Sequence, residues 1–150
     1  MREQFTTALK DAMKSGDKAR LGAVRLIQAA IKDKDIEARG AGRAQASDEE
    51  ILALLQKMIK QRQESAAIYR ENGRPELAEN EESEIAVITS FLPRQLDEAE
   101  TKVAIAAAIA ETGAQGMKDM GKVIALLRER FAGQMDFGKA SGLVKAALSG

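Results

Sequence analysis

Apolar residues return at helical spacing along nearly the whole chain, and Gly, Ser and Asp interrupt the pattern at intervals. Phe5, Leu9, Ala12 and Met13 fit one helical face. Ser15-Gly16-Asp17 then supplies a left-handed stop and the cap of the next helix. Lys18 to Arg39 follows, with Leu21, Val24, Ile27 and Ile31 on its inner side. Gly40 to Ala46 combines two Gly with small residues and reads as the most mobile internal segment. Ser47-Asp48-Glu49-Glu50 is a capping box that opens the longest helix, Asp48 to Asn72, about 37 Å long from the helical rise. Ile51, Leu54, Leu55, Met58, Arg62, Ser65, Ala66 and Tyr69 share its inner face. Asn72-Gly73 ends it, Pro75 suits a first helical turn, and Leu77, Glu81, Ile85, Ile88 and Leu92 carry the next stripe. The connection is short, so these two helices are expected to form a long antiparallel hairpin.

Leu92-Pro93-Arg94 is the natural boundary, because Pro disfavours helix at the residue before it. Three further helices follow. Val103, Ala106, Ala107 and Ala110 predict a flat, small-residue inner face for the first, which Asp97 caps and Gly113 to Gly116 ends. Met120, Val123, Ile124, Leu127 and Phe131 form the second stripe. Asp136 caps the last helix, with Phe137, Ala140, Val144, Ala147 and Leu148. The expectation is an all-α fold: an N-terminal helical domain, residues 1–93, and a small C-terminal three-helix domain, residues 94–150.

Composition sharpens this picture. Of the 150 residues 45% are apolar, but 27 residues are Ala and aromatics are only 3%, so the core must be filled by close approach of thin helices. There is no Cys and no His. Thiol nucleophiles, zinc fingers, Ser–His–Asp triads and His-based pH switches are therefore excluded. No phosphate-cradling Gly-x-x-x-x-Gly-Lys-Ser/Thr loop occurs either. We expect no catalytic constellation, no metal and no cofactor. The longest uncharged apolar run, Val103 to Ala110, has eight residues, too few to span a bilayer. Met1-Arg2-Glu3-Gln4 leads into no apolar segment, so no signal peptide and a cytoplasmic protein are expected.

The formal net charge is zero, but the charges are unevenly placed. Residues 1–46 hold ten Lys/Arg against six Asp/Glu, residues 47–100 six against thirteen, and residues 101–150 seven against four. Lys18, Arg25, Lys32 and Arg39 recur every seven residues and line one outer stripe of their helix. Such a stripe is ordinarily a solvated face; here it is also a candidate phosphate ridge, recognising backbone rather than bases because no aromatic is interleaved. The acidic pair of helices carries Glu76, Glu79, Glu81, Glu82 and Glu84. Without His it lacks the Glu-x-x-His pairs of di-iron bundles. Hairpin geometry sets Glu81 and Glu84 near Arg62, which points to a partly buried ion pair fixing register.

Two stretches carry a family likeness. Lys57-Met58-Ile59-Lys60-Gln61-Arg62, Glu64-Ser65-Ala66, Tyr69, Gly73-Arg74, Leu77-Ala78, Glu81 and Leu92-Pro93 resemble the YqeY family, as do Gly16-Asp17-Lys18, Arg25-Leu26-Ile27 and Ala29-Ala30-Ile31-Lys32. Lys118-Asp119-Met120-Gly121-Lys122-Val123-Ile124, then Gly133 and Asp136, is similar to the tail domain of the B and E subunits of tRNA-dependent amidotransferases. The resemblance implies an N-terminal helical region with a three-helix tail of the kind that helps hold the tRNA body. It also brings a naming tradition of carbon–nitrogen ligase with glutamine as nitrogen donor, for which no nucleophile is visible here.

On physical grounds Gly133 is a helix stop and Asp136 an N-cap. Gly121 costs about 1 kcal/mol against Ala inside a helix. Either close helix–helix approach or backbone approach to a phosphate would offset that cost. The leading expectation is a non-catalytic accessory module that binds tRNA or an aminoacyl-tRNA-handling enzyme through Lys118, Gly121 and Lys122, together with the Lys18, Arg25, Lys32 and Arg39 stripe. The alternatives are the glutamine-dependent ligase and a protein–protein adaptor whose apolar surface would include Ile105 and Ile109, two residues read first as core.

Overall fold

Helix ends in the computed structural model, which describes residues 1–149, fall where side chains can satisfy free backbone groups. Ser47 and Glu50 form a reciprocal capping box, and so do Asp97 and Glu100. Asp17 accepts from the Arg20 amide at 3.0 Å. Asp136 accepts from the amides of Gly138 at 2.8 Å and Lys139 at 3.3 Å. Gly16 and Gly113 end their helices in the left-handed region, at φ 71° and 65°, where a Cβ would be strained.

The helices are α1 (Arg2–Ser15), α2 (Lys18–Gly40), α3 (Asp48–Glu71), α4 (Pro75–Thr89), α5 (Glu98–Thr112), α6 (Met120–Phe131) and α7 (Phe137–Ser149), with one 3₁₀ turn at Met117–Asp119. No strand occurs among the described residues, and the fold is all-α. The chain divides into two compact units, Met1–Leu92 and a second beginning at Pro93.

In the first unit, Phe5, Ile27, Ile31, Ala46, Ile51, Leu55, Met58 and Ile88 make the core. Phe5 lies 4.8 Å from Phe91, ring centre to ring centre, and Arg20 covers the Phe91 ring. The inner face of α1 is Phe5, Ala8 and Ala12, while Met13 is exposed. The core ends part-way along the α3–α4 pair: among the described residues, none between Ile59 and Ile88 belongs to it. Beyond Ile59 the two helices lie against each other. They meet over small side chains, with Ala66 and Ala78 buried. Ion pairs then tie them: Arg62 Nε donates to Glu84 Oε2 at 2.7 Å, and Arg70 Nη2 to Glu82 Oε1 at 2.7 Å.

The segment 40–46 is tied down, contrary to its composition. Helix α2 runs through Gly40, and the Arg43 amide donates to Ala38 O at 2.9 Å. Arg39 Nε donates to Ala44 O at 3.3 Å, and Arg43 pairs with Glu50. Ala46 is buried; its amide donates to Asp35 Oδ1 and its carbonyl accepts from Arg2, each at 2.9 Å. Arg2 also grips both Asp35 oxygens. The Arg2 guanidinium and the Ala46 amide together hold the Asp35 carboxyl at about 2.

The second unit packs Ala104, Ile105, Ala108, Val123, Leu127, Met135, Ala140 and Val144. The inner face of α5 is therefore rotated from the expected one. Ala104, Ile105 and Ala108 face the core, and Val103, Ala106, Ala107 and Ala110 face solvent, with Val103 70% exposed. Ala surrounds this helix, so only its few larger side chains choose a side. Burying Ile105 and half-burying Ile109 removes more apolar area than burying Val103 alone. The segment before α5 is pinned by Gln95 to Gly133 O and by the Leu96 amide to Gln134 O at 2.8 Å.

Candidate nucleic-acid interface

The start of α6 is built on a sharp change of direction. Gly116 has an extended backbone, the 3₁₀ turn Met117–Asp119 tightens the chain, and α6 begins at Met120. Val123 and Leu127, both fully buried, fix which way this helix faces. That leaves Lys118, Gly121 and Lys122 exposed within about one turn. A Cβ added at Gly121 would meet nothing within 4 Å. Close helix–helix approach is therefore not the reason for glycine here, and the open backbone stands beside two cations.

Asp119 tempers that site. Its Oδ2 accepts from the Gln115 amide at 3.1 Å, which holds the turn, and its Oδ1 lies 3.8 Å from Lys122 Nζ. Sequence reading did not single it out, although its i,i+3 offset from Lys122 is a usable signal. The other cations of this unit divide in two. Arg94 is held by Glu100, Lys102 by Glu98, Arg130 by Glu111, and Arg128 covers the Phe137 ring. Lys118, Lys139 and Lys145 carry no ion pair among the described residues and are exposed. Lys139 and Lys145 lie on α7 and were missed because they follow no stripe.

Lys18, Arg25, Lys32 and Arg39 are all exposed on α2, as the seven-residue spacing requires. Arg39 also serves the 40–46 segment through its bond to Ala44. These four belong to the first unit and the α6 residues to the second. The structure brings each set together within its own unit. Ile105 is buried and Ile109 half-buried, as the core reading expects, so neither supplies the exposed apolar surface that an adaptor would need.

Among the described residues, no group of three or more Asp and Glu is arranged to hold a metal ion. No polar or charged side chain is fully buried among them. No helix is long and apolar enough to cross a membrane.

The model of the YqeY family, described as Yqey-like protein, matches residues 2–148. The chain belongs to the YqeY family. Two yeast proteins are similar to this YqeY chain, each named altered inheritance of mitochondria protein 41, mitochondrial. The one from Lachancea thermotolerans is 39% identical over 85 residues, covering 56% of this chain and 43% of the relative. The one from Vanderwaltozyma polyspora is 31% identical over 84 residues, covering 56% of this chain and 44% of the relative. The matched stretch thus spans less than half the length of either relative.

Proposed function

We propose that this YqeY-family chain is a non-catalytic accessory module whose C-terminal unit grips tRNA or an enzyme that handles aminoacyl-tRNA. The observation that carries the reading is the exposed start of α6, where Lys118 and Lys122 flank the unobstructed backbone of Gly121. Exposed backbone at a helix start and nearby ammonium groups are the chemistry that receives phosphate. Lys139 and Lys145 add positive charge from α7, and Lys18, Arg25, Lys32 and Arg39 offer a second exposed ridge for phosphate on α2. The resemblance of this tail to the amidotransferase tail supplies the choice of tRNA among phosphate-bearing partners. A cytoplasmic setting belongs to the same proposal, and the word mitochondrial in the relatives' names concerns those proteins.

The test is tRNA binding measured against salt. Micromolar or tighter binding that weakens as salt rises is expected. Lys118→Glu with Lys122→Glu should abolish it while helix content stays unchanged. No binding at low salt would end the tRNA version, and turnover of glutamine, ATP and misacylated tRNA by this chain alone would end the non-catalytic reading.

A further inference from the structure

Two exposed helical faces of the first unit mirror each other. On α2, Ile36 is 55% exposed and sits between Lys32, four residues before, and Arg39, three residues after. On α3, Ile68 is also 55% exposed and sits between Glu64, four residues before, and Glu71, three residues after. In both helices the three side chains fall within one face, because offsets of three and four return to the same side. The spacing is the same, the apolar centre is the same residue, and the charges are opposite. Both isoleucines are already exposed within the chain, so neither face is the other's intramolecular cover. Lys32, Glu64 and Glu71 have no ion pair among the described residues, and Arg39 uses only Nε, on Ala44 O.

We propose that the α2 face of one copy docks on the α3 face of a second copy, with the helices antiparallel. Ile36 then packs against Ile68, Lys32 meets Glu71, and Arg39 meets Glu64. Each ion pair flanks an apolar contact, the arrangement by which charges flanking a helical seam select a partner and an orientation. Each copy carries both faces in one unit, so identical chains suffice to make the contact. The apolar centre is small, which makes the association weak and dependent on salt. The proposal is independent of the α6 site, since it uses neither Lys118 nor Lys122. It does compete with nucleic acid for Lys32 and Arg39.

Charge exchange tests it by sedimentation of the full chain at low and high salt, over micromolar to millimolar protein. The wild type should self-associate at low salt and dissociate as salt rises. Lys32→Glu/Arg39→Glu and Glu64→Lys/Glu71→Lys should each associate about tenfold more weakly or worse, because like charges now face each other. Mixing the two variants should restore association, since each then supplies the other's complement. Ile36→Asp should weaken it as well, and far-UV circular dichroism should be unchanged throughout. A wild type that remains monomeric at low salt overturns the proposal. Variants that associate like the wild type, or a mixture no larger than its components, do the same.

Discussion

The two units solve the same packing problem with different materials. The first closes its core on Phe5, Ile27, Ile31, Ile51, Leu55 and Ile88, and then ties its periphery with the Arg2–Asp35–Ala46 knot. The second sets Ala104, Ala108 and Ala140 among Ile105, Val123, Leu127, Met135 and Val144, so small side chains take a larger share of its core cluster. Large side chains tolerate reshaping but leave large holes when removed. Small ones leave small holes but reject additions. The units should therefore fail under opposite substitutions.

Truncation in the first unit gives the largest expected effect. Leu55→Ala removes a fully buried side chain and should cost about 2–5 kcal/mol, read by urea unfolding with hydrogen exchange confined to residues of that unit. Enlargement in the second unit comes next. Ala108→Leu inserts volume at a buried position and should cost about 1–3 kcal/mol, with the exchange loss now falling beyond Pro93. Equal sensitivity of both units to both kinds of change would remove the contrast.

The α3–α4 pair beyond Ile59 belongs to neither extreme, because Ala66, Ala78 and two ion pairs hold it. Arg62 is 16% exposed and Glu84 33%. Arg62→Met should therefore destabilise by about 1–2 kcal/mol, between the values for surface and buried pairs. It should leave tRNA affinity intact.

Acid should act on both units through three carboxyls. The Arg2 guanidinium and Ala46 amide lower Asp35 to about 2. Arg43 and the Ser47 amide lower Glu50 to about 2, and Arg94 and the Asp97 amide lower Glu100 to about 2. Each folded value lies below the unfolded one, so the stability is present above the ordinary carboxylate range and is lost as pH falls from about 4.5 toward 2. Asp35→Asn should make the acid limb of the first unit shallower, Glu50 keeping the remainder, and leave that of the second unchanged, as a pH series of thermal unfolding would reveal. The smallest change is Lys122→Ala, which should leave stability unaltered and reduce the salt slope of tRNA binding by about 1.

Local chemistry was legible in the sequence, and contacts between distant residues were not. Ser47 with Glu50, Asp97 with Glu100, Asp17, Asp136 and the glycine stops all act within a few residues, so the pattern alone locates them. The seven-residue recurrence likewise placed Lys18, Arg25, Lys32 and Arg39 on one exposed face. The orientation of α5 was not legible, because Ala on every side leaves the periodicity nearly flat and a few isoleucines decide. The order of segment 40–46 comes partly from nearby Asp35, Arg39 and Arg43, and partly from Arg2, which lies far away along the chain. Composition marked the segment as loose, while tertiary hydrogen bonds hold it. At α6, the exposed cations follow from the stripe that buries Val123 and Leu127, but the open space beside Gly121 required coordinates.

The proposed role of the second unit is to grip a phosphate-bearing partner at the start of α6. Titrating tRNA against the wild type and the Lys118→Glu/Lys122→Glu variant, at low and at high salt, tests it most directly. The wild type should bind at low salt and release at high salt, and the variant should not bind at all. Equal binding by both proteins, or no binding by either, would contradict it.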